Sequence, residues 1–359
     1  MKCTIQNIAD HLGLSRNTVS KALKNSSEVS ENTRNLVIKT ASKLGYKNAT
    51  FATPVIPASE TGSNGTILFL TRTYASDSEF WTTVLRGIES ILSNANYHLA
   101  ISIMSDSDLK QLNFPQTISD SSIKGIILVE ICDKVVCDAL SQFNLPIVSV
   151  DMPNVPFEEL NGIDVVTMES KKNLKKIINQ LIEKGAESFG FVGDLYSPNV
   201  SRGFQERYNA LSECLAEHQL PLNQKNCLLH QTPEDFRNFQ TTVNNLQAMI
   251  SLPDVFICGN DWTAIQLIYA LQFLGFQIPK DICVVGFDNI PAASRISPSL
   301  TTISTPQKYL GIAAARQILE RIQHPNCPHV FCQYETELII RNSVSYTHLR
   351  AHETSLHLV

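Results

Sequence analysis

The sequence predicts an α/β protein: a small all-α helix-turn-helix head followed by a two-lobed body built on parallel sheets. Three observations predict it. Residues 4–46 carry three short helical patterns around a glycine turn. Residues 47–65 shift abruptly to proline, glycine and small polar residues. From residue 66 apolar strand-like runs alternate with amphipathic stretches up to about residue 341.

The head is read from spacing and caps. Ile5, Ile8, Ala9 and Leu12 share one helix face, and Gly13 breaks the pattern. Ser15 is placed to cap a second helix through Val19, Ala22 and Leu23. Ser30 is placed to cap a third, with Leu36, Val37, Ala41 and Leu44 inward and Gly45 at its end. Helix, tight turn, helix is the layout of a helix-turn-helix. The stretch KNATFATPVIPASETGSNG that follows reads as a linker.

In the body, strand-like runs fall at Thr66–Leu70, Tyr97–Met104, Gly125–Ile131, Pro146–Val150, Ser188–Val192, Asp254–Cys258 and Asp281–Phe287, with a last strand at Glu335–Arg341. Helical stretches include Thr82–Ser93, Lys171–Lys184 and Trp262–Leu274. Continuously apolar strands joined by helices indicate parallel sheets covered on both faces. The length favours two such lobes over one open sheet. The expected organisation is therefore a head over 1–46, a linker over 47–65, a two-lobed domain over 66–341 and a tail over 342–359. The tail, VSYTHLRAHETSLHLV with its lead-in, reads as disordered or appended sequence. Its His348 and His352 have helical metal-ligand spacing but no obvious third ligand.

Charge divides the chain. Residues 1–50 hold eight Lys/Arg against three acids, a net +5, whereas the whole chain is −5. A basic head on an acidic body suits a nucleic-acid-binding module joined to a domain with another task. The nine cysteines show no C-x-x-C pair and read as small buried hydrophobes, not ligands or disulfides. The N-terminus has no apolar signal region, and no stretch reaches the roughly 18 apolar residues of a membrane span. No G-x-S-x-G or P-loop motif is present, and no enzymatic activity, cofactor or metal is expected.

The run TIQNIADHLGLSRNTVSKALKNSSEVSENTRNLVIKTASKLGY resembles, without a gap, the DNA-binding domain of the LacI/GalR family of bacterial repressors. On that resemblance the second helix is the recognition helix. Arg16 and Asn17 open it and Lys21 lies one turn on, as candidate base readers; Arg suits guanine and Asn suits adenine. Thr4, Ser15, Thr18, Ser20 and Lys24 suit phosphates. The linker departs from the family's hinge helix, because Pro54 falls where helix should continue; Phe51 and Val55 are the apolar groups available as wedges.

The body resembles the family's periplasmic-binding-protein-like domain, most closely in VFICGNDWTAIQLIYALQFLGFQIPKDICVVGFDNIP, SPSLTTISTPQ and FQERYNALSECLAEHQLPLN. The resemblance implies an effector cleft between two lobes. It picks out Arg207 as an oxygen clamp, with Asp151, Asn260, Asp261 and Asp288 just past strand ends, and Phe80 and Trp81 as stacking groups. Other readings stay open: Asp261 and Asp288 as helix N-caps, Arg207 as a surface residue, Phe80 as core. Met168 and Glu169 stand where the family usually has an aspartate. The implied partners are operator DNA, a small sugar-like effector with a purine-like one as runner-up, and a second copy of the chain in a cytoplasmic homodimer. A solute-binding protein is the alternative, and it would need a signal sequence and no basic head.

Overall fold

The computed structural model describes residues 4–23, 29–30, 33–34, 36–37, 40–41, 63–72, 78–195, 201–230 and 238–344. The chain forms two compact units, residues 1–62 and 63–359. Lys24, Phe51, Pro54, Val55, His348 and His352 lie outside the described residues, as do the expectations placed on them.

In the head, Thr4 caps helix α1 (Ile5–Leu12) through a reciprocal bond pair with Asn7, and Gly13 ends it at φ +63°, a conformation that costs glycine little. Ser15 Oγ then accepts the Thr18 N–H at 3.0 Å and starts α2 (Arg16–Leu23). Ser30 does the same for Thr33, and Thr33, Arg34, Leu36, Val37, Thr40 and Ala41 are helical. The three segments bury Ile8, Ala9, Val19, Ala22, Val37 and Ala41 against one another.

The body holds two six-stranded sheets. The first runs β11-β5-β4-β3-β1-β2 and is parallel throughout. Its strands are β1 (Thr66–Arg72), β2 (His98–Met104), β3 (Ile123–Val129), β4 (Ile147–Val150), β5 (Ile163–Met168) and β11 (Phe331–Tyr334). The second runs β12-β10-β9-β8-β6-β7, from β6 (Phe189–Asp194), β7 (Leu228–His230), β8 (Val255–Cys258), β9 (Cys283–Asp288), β10 (Thr301–Ser304) and β12 (Glu337–Ile339); only the β10–β12 pair is antiparallel. The chain thus builds one lobe, crosses to the second, returns for β11 and crosses again for β12.

The sheets are covered by α3 (Glu79–Asn94), α4 (Asp106–Gln111), α5 (Lys134–Ser141), α6 (Lys172–Glu183), α7 (Arg202–Glu217), α8 (Phe239–Ala248), α9 (Asp261–Phe273) and α10 (Gln307–Gln323). Central strands are buried along their length, as β5 and β8 show, because helices lie on both faces. Three boundaries differ from the sequence reading. Of the expected strand Glu335–Arg341 only Glu337–Ile339 is strand (β12), and a separate strand just before it, Phe331–Tyr334 (β11), serves the other lobe. The body also extends past residue 341: Ser343 is fully buried, accepts the Thr301 N–H at 2.8 Å and donates to the Val284 carbonyl at 2.6 Å, and Val344 is buried. Asn64 N–H likewise bonds the Asn96 carbonyl, so the end of the expected linker belongs to the body.

Helices α3 and α10 touch through glycine. A Cβ on Gly311 would lie 2.0 Å from the Val84 carbonyl oxygen, and one on Gly87 would lie 2.2 Å from the Lys308 carbonyl oxygen. Both obstacles are backbone and neither can rotate away. Gly311→Ala is therefore expected to force the helices apart at a cost of about 1–3 kcal/mol or more, despite alanine's better helix propensity. Urea denaturation checks this; an unchanged or raised midpoint would refute the close-packing argument.

Candidate functional site

In the head, Arg16 and Asn17 are exposed at the start of α2, and Lys21 and Ser20 are partly exposed one turn on. The hydroxyls are less free than the sequence suggested. Thr4 caps α1, and the Ser15 and Thr18 hydroxyls lie 2.8 Å apart, with Ser15 capping α2. Their first task is to build the turn; a phosphate would be a second partner.

In the body, strand order locates the site. In the first sheet the order reverses between β1 and β3, and in the second between β6 and β8. Open α/β sheets present a crevice at such switch points, beyond the carboxyl ends of the strands. Arg72 ends β1, Glu130 follows β3, Asp194 ends β6, and Gly259 and Asn260 follow β8. Next to these, Asp151 follows β4 and Asp288 ends β9. Glu130, Asp151 and Asp288 take φ of +58°, +77° and +119°, in the left-handed region that non-glycine residues seldom occupy. Such backbone strain gathers where loops hold ligands.

Arg207 lies at the centre. It projects from α7 and is only 4% exposed. Its Nη1 donates to the Gly259 carbonyl at 2.7 Å, and its guanidinium carbon sits 3.7 Å from the centre of the Phe287 ring. Its Nε is buried without a hydrogen-bond partner. Burial lowers the Arg207 pKa, and Asp288 and Asp151 oppose that effect. Asp288 in turn is pushed well above the usual carboxylate range by burial, with Arg207 opposing. The surface-helix reading of Arg207 is thus excluded by its burial.

Asp151 is committed across the lobes. Burial raises its pKa, while its oxygens accept from the Ser201 hydroxyl at 2.5 Å and the Met152 N–H at 2.8 Å. The Arg202 N–H adds a bond to the Met152 carbonyl at 3.0 Å. Asn260 Oδ1 accepts the Thr263 N–H at 2.9 Å and caps α9. Asp261 is fully buried and turned inward: it accepts from the Thr302 hydroxyl at 2.5 Å and the Ile290 N–H at 2.9 Å. It ties α9 to the loop after β9, and burial lifts its pKa to about 6. The structure therefore does not bring Asp261 to the open side of the group.

Phe80 and Trp81 are both buried and meet edge to face with centroids 4.5 Å apart. Trp81 donates its indole N–H to Glu130. It fixes a polar neighbour and does not offer an open stacking face. Glu169 accepts the N–H groups of Lys171 and Lys172 at 2.7 and 2.8 Å, so the residue at the family's aspartate position starts α6. Glu130 went unnoticed in the sequence because it sits in the apolar run Gly125–Ile131, which reads as unbroken strand; β3 stops at Val129.

Among the described residues no group of three or more His, Cys, Asp or Glu could hold a metal ion, and no helix is long and apolar enough to cross a membrane.

Comparison with known proteins agrees with this fold. Residues 4–48 match the model for bacterial regulatory proteins of the lacI family, and residues 178–344 match that of the periplasmic binding protein-like domain. The chain is 26% identical over 346 residues to the HTH-type transcriptional repressor PurR of Photobacterium profundum, covering 95% of this chain and 98% of that protein. It is 27% identical over 345 residues to the ribose operon repressor of Haemophilus influenzae, with the same coverage. Among solved structures, the complex of the transcriptional regulator CelR with cellobiose aligns over 95% of this chain and 100% of that one, with a TM-score of 0.67 at 19% identity.

Proposed function

Since the chain belongs to the LacI family of bacterial regulatory proteins, we propose that it is a cytoplasmic homodimeric repressor whose operator affinity is set by a sugar or sugar derivative bound between its lobes. Arg16, Asn17 and Lys21 read base edges, and Ser20, Thr18, Ser15, Thr4 and Lys24 hold phosphates. In the body, Arg207 clamps ligand oxygens, with Asp288 and Asp151 on either side and Asn260 at the rim.

The observation that carries the effector reading is Arg207. A guanidinium this deeply buried, with an unpartnered Nε and two flanking carboxylates of raised pKa, is arranged to meet a hydroxyl-rich ligand. One relative is a ribose operon repressor, which supports a sugar effector. The effector acts through its different affinity for two arrangements of the lobes. The Asp151–Ser201 and Met152–Arg202 bonds join them and are the contacts such a change would strain.

The test is selection of bound DNA from a random pool by the full chain, with and without mixed sugars and nucleosides. A near-palindromic motif whose recovery responds to the sugar fraction is expected. No enriched motif would refute the operator reading, and a response confined to nucleosides would replace the sugar by a purine-like effector. With a motif in hand, Arg16→Ala is expected to lose discrimination at particular base pairs by about 1–3 kcal/mol per lost bidentate contact. Equal weakening on every sequence would assign Arg16 to phosphates instead.

A further inference from the structure

We propose that Gln307 is a positioning residue for the effector: it fixes the place of the Asp288 carboxyl and ties that place to the first lobe. The proposal rests on the effector-binding reading of Asp288 and deepens it.

The first argument is the backbone of Asp288. It takes φ +119°, which a residue with a Cβ seldom occupies, and Asn289 follows at +57°. Such a conformation persists only where its surroundings hold it. Here the holding falls on one carbonyl. The Asp288 oxygen accepts from Gln307 Nε2 at 2.7 Å, the Thr305 hydroxyl at 3.2 Å and the Thr305 N–H at 3.4 Å. Gln307 makes the shortest of the three bonds and is itself buried.

The second is what stays open. No described residue donates a hydrogen bond to the Asp288 carboxyl, and the residue is partly exposed. The ring before it, Phe287, has its centre 3.7 Å from the Arg207 guanidinium carbon. The backbone is pinned while the acid remains available. Asp261 shows the contrast, since Thr302 and Ile290 take up its carboxylate.

The third is the lobe on which Gln307 stands. Thr305 and Pro306 carry the chain from β10 of the second sheet to α10, which Gln307 opens. That helix is fixed to the first lobe. Lys308, next to Gln307, has its carbonyl oxygen 2.2 Å from where a Cβ on Gly87 of α3 would lie. Farther along, Gln317 and Arg321 bond Asp164 of β5. Gln307 therefore moves with the first lobe and grips a strand end of the second. A relative movement of the lobes acts directly on this bond, so the arrangement of the lobes and the place of the Asp288 carboxyl are coupled through it.

The experiment is titration calorimetry of the full chain with ribose, xylose, glucose, galactose and cellobiose in turn. For the sugar that binds, Gln307→Met, which keeps the bulk and removes the donor, is expected to weaken binding tenfold or more. Thr305→Val removes a second donor to the same carbonyl and should act in the same direction. The decisive readout is the double-mutant cycle with Asp288→Gly, which removes the carboxyl and tolerates the positive φ. In that background Gln307→Met should weaken binding less than twofold, because nothing is left to position. An equal loss in both backgrounds would overturn the positioning role, as a merely structural defect predicts it. Unchanged affinity in Gln307→Met and Thr305→Val would overturn it as well, leaving the sugar cleft standing. No binding of any of the five sugars by the parent chain, with a normal thermal transition, would overturn the sugar reading and this proposal with it.

Discussion

Arg207→Met is expected to weaken effector binding by a hundredfold or more while leaving operator recognition close to that of the parent. The side chain is buried, and its cation is the charge that opposes burial at Asp288. Removing the guanidinium takes a charged donor from the Gly259 carbonyl and from the ligand, and hydrogen bonds to charged groups are worth about 1.5–3 kcal/mol each. Asp288 then keeps a proton, and the ligand loses its donor fork. Methionine retains the apolar contact with the Phe287 and Phe204 rings that alanine would abandon. The readout is the effector dose response of operator binding by fluorescence anisotropy. A response curve at the parent concentration would remove Arg207 from the site. Asp288→Asn is the companion variant: it keeps the shape of the strand end and should shift the curve in the same direction.

The fold was legible because each lobe repeats one physical pattern. Runs such as Val255–Cys258 are apolar on both faces, and only a parallel sheet between helix layers buries both. The head was legible through its caps, since Ser15 and Ser30 mark helix starts by chemistry that acts over three residues. What escaped was decided by contacts far apart in sequence. Whether a polar residue after a strand faces a ligand or the interior depends on its neighbour in space. Asp261 and Asp288 read alike, yet Thr302 and Ile290 claim the Asp261 carboxylate while Asp288 faces Arg207. Glu130 is the converse case. Local hydrophobicity made it strand, and its place at the switch point appears only once the sheet order puts the reversal beside it. Ser343 followed the same logic: nothing near it in sequence says that Val284 and Thr301 await its hydroxyl.

The carboxyl with the largest expected effect on stability lies away from the cleft and has the opposite electrostatic sign. Asp164 in β5 is fully buried and accepts from Arg321 Nε and Nη2 at 3.0 and 2.8 Å, Gln317 Nε2 at 3.0 Å and the Val330 N–H at 2.8 Å. Arg321 also donates to the carbonyls of Pro325, Cys327 and Pro328. One ion pair thus fixes the end of α10, the turn after it and the strand β11 that returns the chain to the first lobe. Asp164→Ala leaves Arg321 buried without a counter-charge, and a loss of about 3–5 kcal/mol is expected in urea denaturation. The pH dependence separates charge from packing. Burial raises the Asp164 pKa, but the bonds from Arg321, Gln317 and Val330 outweigh it and leave the value lowered. A lowered carboxyl contributes stability that is complete above its unfolded pKa of about 3.9 and is lost as pH falls through the folded value. The gap between parent and variant should hold from pH 8 to 5 and narrow below pH 4. Asp261 runs the other way: with a folded pKa of about 6, its ionisation costs stability as pH rises from about 4 to 6. A gap for Asp164→Ala that stays constant down to pH 3 would mean that lost packing, and not the ion pair, explains the variant.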